Sequence, residues 1–300
     1  MGMGGKAKVG VIGVGAMGMG VARSLLARGY SVRVRDIRPD AEAEAAGAGA
    51  IVCESPAALA RACDVVMSLV VDQHDTEAIV FGPEGLAGTL SPQAVYVMSS
   101  TVPPRYASDL GARLEARGLA MLDAPVSGGP ARAWSGMLSM MVSGSDAARE
   151  RAESVLAEVA ANRFVVGTAP GDGSKAKIVN NLLAGVNLAA AGEAMTLGMK
   201  LGLDPKLVFE IVSASSGASW IFGDRMPRVL SGDYTTRAAT RILTKDLSIA
   251  AATAAEAGVP GSLATAARDV FAAAVADGHG DADDAAVIRY YAARAGVKLP

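Results

Sequence analysis

A G-x-G-x-x-G run, Gly13-Val14-Gly15-Ala16-Met17-Gly18, stands directly after the apolar run Lys8–Ile12 and opens a stretch with helical spacing, Ala16–Arg28. The first glycine permits a tight turn, the second lets the backbone approach a pyrophosphate, and the third packs helix against strand. The amides of the helix N-terminus then face the anion. In a chain of 35 glycines the pattern alone is weak, and a tight turn without a ligand is the plain alternative. Strand, helix and N-terminal position together favour a dinucleotide site built from Gly13, Gly15, Ala16, Met17 and Gly18. Asp36 follows about twenty residues on, at the end of the second apolar run, where a carboxylate accepts hydrogen bonds from an adenosine ribose and repels a 2′-phosphate. That favours NAD over NADP. Arg35 and Arg38 flank it and soften the repulsion, and a turn cap before Pro39 is the other reading of Asp36.

Short apolar runs alternate with Ala/Leu/Arg-rich stretches through the first half. Lys8–Ile12, Val32–Val34, Val65–Val70 and Ala94–Met98 have the texture of parallel strands buried on both faces. Ala16–Arg28, Pro56–Ala62 and Pro103–Arg117 show helical spacing between them, and Leu119–Leu122, Leu138–Val142 and Ala147–Val159 continue the alternation. A doubly wound α/β domain follows from that order. After the turn-rich stretch Thr168 to Gly173 only helices are expected: Ser174–Lys200, Pro205–Ser213, Arg237–Ala257, Pro260–Ala276 and Asp283–Ala295. The chain therefore reads as an α/β domain over 1–168 and an all-helical domain over 169–300.

Composition excludes several classes. Net charge is −2 and no run of Lys or Arg forms a basic stripe, so nucleic acid is not an expected partner. Cys53 and Cys63 stand ten apart with no histidine nearby, and His74 and His279 are the only histidines, which leaves almost no material for a metal site or a histidine triad. The N-terminal VGVIG flows straight into the glycine loop rather than to a cleavage site, and Lys6 breaks a myristoylation signal at Gly2. The longest apolar stretch, Ile178 to Met195, is interrupted by Asn180, Asn181, Asn187 and Glu193 and does not read as a membrane span. A cytoplasmic protein is expected.

Three later segments carry chemistry. Asp123-Ala124-Pro125-Val126-Ser127-Gly128-Gly129-Pro130 can present amides and a hydroxyl to a carboxylate, although a generic loop would look the same. Lys177 and Asn181 lie at i and i+4 on one face of an otherwise apolar helix. They form either a functional polar stripe or, on periodicity alone, a snorkelling surface lysine with a neighbour. Lys175 points elsewhere. Lys245-Asp246, taken singly, reads as an ordinary solvated pair.

Together these segments resemble the β-hydroxyacid dehydrogenase family. Its four signatures stand in order as GVGAMGMGVARSLLARGY, DAPVSGGPARAWSG, GDGSKAKIVNN and TKDL, and the resemblance runs from about Val9 to Ala293. It implies a Rossmann-type domain joined by a long helix to an all-α domain, with NAD as cofactor. It implies Lys177 as catalytic acid/base and Asn181 as the residue that orients substrate. Ser127, Gly128 and Gly129 would hold the substrate carboxylate, while Thr101 and Lys245 would touch the cofactor. The phrases STVPP, LLAGVNLAAAGEAM and SWIFGDRMPRVLSGDY are most similar to members that oxidise four-carbon sugar acids such as L-threonate. A 3-hydroxyisobutyrate dehydrogenase or tartronate semialdehyde reductase is the alternative within the family. Decarboxylating relatives carry a histidine where this chain has Ser174, and both imine reductases and non-catalytic relatives lack the lysine. The resemblance also implies a homodimer or homotetramer.

A lysine serves both directions of such a reaction, as amine for oxidation and ammonium for reduction. An unperturbed lysine titrates well above neutral pH, so the oxidative direction requires desolvation or a nearby positive charge to lower it.

Overall fold

A computed structural model of the chain describes residues 6–300, so Gly2 and the rest of the N-terminal pentapeptide lie outside the described residues. The first strand, β1 (Lys8–Ile12), leads through the glycine loop into α1 (Ala16–Ala27). There follow β2 (Ser31–Arg35), α2 (Pro39–Gly47), β3 (Ile51–Val52), α3 (Pro56–Arg61), β4 (Val65–Ser68), α4 (Gln73–Phe81), β5 (Val95–Met98) and α5 (Pro104–Glu115). The sheet is completed by β6 (Ala120–Asp123), the short β7 (Val126–Ser127), β8 (Ser139–Ser143) and β9 (Asn162–Gly167), with α6 (Gly129–Ser135) and α7 (Asp146–Val159) between them.

Strand order is β3-β2-β1-β4-β5-β6-β8-β7, with β9 on β8. Every pair from β3 to β6 is parallel, and the order reverses direction between β1 and β4, the switch point of a doubly wound sheet. The far edge departs from the all-parallel expectation, because β8 runs antiparallel to both β6 and β7.

Alternation along the central strands explains why they are apolar throughout. Val9 and Val11, Val65 and Met67, and Val95 and Val97 enter one core, while Ile12, Val66, Tyr96 and Met98 enter another. Each side chain so buried contributes roughly 1.5–3 kcal/mol relative to exposure.

The chain divides into two compact units, one ending at Lys177 and the other beginning at Ile178. The division falls inside α8 (Asp172–Lys200), beyond the 168/169 break suggested by the turn-rich stretch, because the first turns of that helix are hydrogen-bonded to the first unit. The second unit continues with α9 (Pro205–Ser213), α10 (Trp220–Leu230), α11 (Thr240–Glu256), α12 (Ser262–Ala274) and α13 (Val287–Ala295) around a core that includes Leu188, Met195, Phe222, Met226, Leu247, Phe271 and Ile288. The buried Arg228 guanidinium donates to Asp283 at 2.9 Å and to the Thr235 carbonyl at 2.5 Å, fixing the segment between α10 and α11.

Four helices, α2, α4, α6 and α10, have no counterpart in the sequence reading. Helix α10 contains Pro227, which removes an intrahelical bond. Its Ser219 cap and the burial of Ile221, Phe222, Met226 and Val229 hold the helix nonetheless.

Candidate active site

Parallel strands β1, β4, β5 and β6 end at one edge of the sheet, and the segments that follow β1, β5 and β6 carry most of the residues singled out from sequence. In the glycine loop Gly13 has φ +85°, and its amide donates to the Arg35 carbonyl at 2.9 Å. A Cβ on Gly18 would stand 1.9 Å from the Gly13 carbonyl oxygen, so only glycine allows α1 to start this close to β1. Above Gly15 the space is open: a Cβ there would find only the Arg38 guanidinium, at 3.7 Å. No side chain caps the start of α1. The amides around Ala16 and Met17 therefore remain for an anion, and the cradle fits a pyrophosphate.

Both carboxylate oxygens of Asp36 accept backbone amides of the surrounding loops. Its Oδ2 accepts the Val14 amide at 2.7 Å and so ties the glycine loop to β2, while Oδ1 accepts the Arg38 amide at 2.9 Å and holds the turn before Pro39. The Arg38 Nε lies 3.3 Å from the same Oδ1. Thr101 follows β5, half-buried between the buried Ser100 and Val102.

The loop after β6 is held by short pairing with β8, Val126 opposite Met140 and Ser127 opposite Ser139. Beyond it Gly128 and Gly129 take φ of +130° and +75°, conformations that suit glycine. Ser127, Gly128 and Gly129 are all half-buried, and the aliphatic stem of Arg132 lies across Gly128.

Asp123 joins this loop to α8. Its Oδ2 accepts the amides of Gly171 at 2.9 Å and Ser174 at 2.8 Å, and its Oδ1 accepts the Ser174 hydroxyl at 2.9 Å. Burial pushes the Asp123 carboxyl up, against the lowering effect of the Ser174, Gly171 and Ser143 donors. Three residues further along both segments, Lys177 Nζ donates to the Val126 carbonyl at 2.7 Å. Loop and helix are thus stapled twice in matching register, and Lys177 is held buried beside Ser127 rather than snorkelling outward. Lys175, by contrast, is exposed and paired with Asp172 at 2.7 Å.

In the second unit Asn181 is buried, and its Nδ2 donates to Asp246 Oδ2 at 2.7 Å. Lys245 Nζ lies 3.0 Å from Asp246 Oδ1. The solvated-pair reading of Lys245-Asp246 is therefore corrected: Asp246 shares a buried helical stripe with Leu243, Leu247 and Ala250. A carboxylate on that stripe was the signal in the sequence. Asp123 also went unassigned, although an aspartate ending a buried strand needs donors to stay there. Among the described residues no group of three or more His, Cys, Asp or Glu side chains is arranged to hold a metal ion.

Residues 8–167 match the NAD-binding domain of 6-phosphogluconate dehydrogenase, and residues 171–291 match the NAD-binding domain of NADP-dependent 3-hydroxyisobutyrate dehydrogenase. The chain is 48% identical to an L-threonate dehydrogenase of Cupriavidus necator, over 97% of each chain. It is 39% identical to an L-threonate dehydrogenase of Escherichia coli, over 97% of this chain and 96% of the other. A crystal structure of a 3-hydroxyisobutyrate dehydrogenase from Salmonella typhimurium superimposes with a TM-score of 0.89 at 40% identity, covering 95% of this chain and 99% of that one.

Proposed function

The chain belongs to the β-hydroxyacid dehydrogenase family and is an NAD-dependent dehydrogenase of a small hydroxy acid, and from that premise we propose that its substrate is a four-carbon sugar acid, L-threonate, oxidised in the cytoplasm by a homodimer or homotetramer. The 48% identity to an L-threonate dehydrogenase supports the substrate. The observation that carries the chemistry is the buried Lys177, stapled to the loop that holds Ser127, Gly128 and Gly129.

The amides of the glycine loop would hold the cofactor's pyrophosphate and the Asp36 carboxylate its adenosine ribose, and Thr101 and Lys245 would contact it further along. When bound, NAD⁺ supplies the hydride acceptor. The Ser127 hydroxyl and the Gly128 and Gly129 amides hold the substrate carboxylate, and Asn181, fixed by Asp246, orients the substrate. Lys177 Nζ takes the hydroxyl proton during oxidation and returns it during reduction. Its bond to the Val126 carbonyl fixes where the nitrogen stands relative to Ser127.

A spectrophotometric screen of NAD⁺ reduction with L-threonate, D-glycerate, 3-hydroxyisobutyrate and L-serine tests the substrate. L-Threonate is expected to give the highest kcat/KM. A higher value for 3-hydroxyisobutyrate would move the assignment to the other branch of the family.

A further inference from the structure

Arg35 and Arg38 both flank Asp36, yet their environments differ sharply. Arg38 is half-exposed, lies over the glycine loop near Gly15, and its side chain meets Asp36 through Nε. Arg35 is turned back under the turn. Its Nη1 donates to Glu42 Oε1 at 2.6 Å and to the Asp36 backbone carbonyl at 2.6 Å. The same Glu42 oxygen accepts the Asp36 amide at 3.0 Å. Glu42 is only 15% exposed and lies in the first turn of α2, where unpaired helix amides favour a carboxylate.

We propose that Glu42 is a second determinant of cofactor choice: by engaging Arg35 it withholds from a 2′-phosphate the cation that would offset the repulsion of Asp36. The proposal rests on the reading of this loop as the adenosine end of a nicotinamide dinucleotide site. A carboxylate at the end of β2 discourages a 2′-phosphate but does not settle the matter when two guanidiniums stand beside it. A dianionic group placed at the ribose would gain from each unpaired arginine and lose to each carboxylate. Here Arg35 is already neutralised by a short, largely shielded ion pair, and its second bond, to the Asp36 carbonyl, anchors it further. The rim therefore holds two carboxylates, one guanidinium committed to Glu42 and one, Arg38, held to Asp36 through Nε.

The test reads binding rather than turnover. NADH and NADPH are titrated by their own fluorescence against wild type, Glu42→Gln, Asp36→Ser and the double variant, at low and high salt. The Glu42→Gln side chain keeps an oxygen for the Asp36 amide while losing the charge that holds Arg35, and thermal melts confirm folding. Wild type is expected to favour NADH. Glu42→Gln should strengthen NADPH binding about tenfold, the worth of one partly shielded charge-assisted contact. Asp36→Ser alone should mainly weaken NADH, and the double variant should gain more for NADPH than the product of the single changes. The gain should shrink in high salt and disappear when Arg35→Ala is added. An NADPH-to-NADH affinity ratio within about twofold of wild type for Glu42→Gln, or a gain that survives Arg35→Ala, overturns the role of Glu42. Wild type that binds neither nucleotide overturns the underlying cofactor reading instead, and the two failures are distinguishable.

Discussion

Lys177 is 7% exposed, and its Nζ donates to a neutral acceptor, the Val126 carbonyl, at 2.7 Å. A carbonyl accepts from an ammonium, more strongly, and from a neutral amine, so the tie is compatible with the proton transfer proposed for Lys177. A carboxylate in the place of that carbonyl would instead favour the charged form and resist the oxidative direction. Losing a positioned acid/base costs about 10²–10⁴-fold in rate. Lys177→Ala is therefore expected to lose most of its kcat while retaining NADH binding by fluorescence titration. Lys175→Ala, on the exposed face, is expected to stay active. Retention of more than about a tenth of wild-type kcat in Lys177→Ala would require another base. A dead Lys175→Ala with an active Lys177→Ala would exchange the two roles.

Helix α8 inverts the usual distribution of side chains in its first turns: Lys177 and Asn181 are buried, whereas Val179 and Leu183 are 71% and 59% exposed. Asp123 makes that orientation stable by capping the helix from 51 residues away. Asp123→Ala leaves the Gly171 and Ser174 amides buried without an acceptor, at a cost of roughly 1–3 kcal/mol each. Asp123→Asn can still accept both amides on one oxygen, and the Ser174 hydroxyl can rotate to accept from the new amide. Asp123→Ala should therefore melt several degrees lower and lose kcat with little change in NADH affinity, and Asp123→Asn should recover much of both. Equal kcat for wild type and Asp123→Ala at a temperature where both are folded would reduce Asp123 to a stabilising residue. These ties also mark what was legible in the sequence. The β1–glycine loop–α1 unit was readable nearly to the residue because its physics is local: strand, turn and helix start lie within about twenty residues. Lys177 and Asn181 were readable as aligned, and the resemblance gave them roles, but their burial was not. The partners of Asp123, Asp246 and Glu42 were invisible because each is set by packing between separate elements, Asn181 and Asp246 being 65 residues apart. The helices α2 and α4 escaped because their apolar faces are thin and their helical state is decided by the sheet they cover.

Across the molecule, exposed apolar side chains occur on many elements, and one group of them is aligned. Val179, Leu183 and Leu197 lie on one long stripe of α8 that Leu201 extends just past its end, each more than half exposed, with Ala190 and Ala194 continuing it between them. By length and composition α8 is also the one helix among the described residues apolar enough to cross a membrane. Its opposite side, however, is part of a folded core through Leu188, Ala191 and Met195 and carries the buried Lys177 and Asn181. Burying a leucine contributes roughly 1.5–3 kcal/mol, so pairing the stripe with that of a second copy would add to the stability of a dimer. The expected outcome is a dimer or tetramer in sedimentation velocity at micromolar concentration. Leu197→Glu combined with Leu201→Glu introduces like charges into the seam and is expected to shift the species toward monomer, with the far-UV circular dichroism unchanged. A wild-type monomer would leave the stripe without this partner. An unchanged oligomer in the double variant would place the association on another surface.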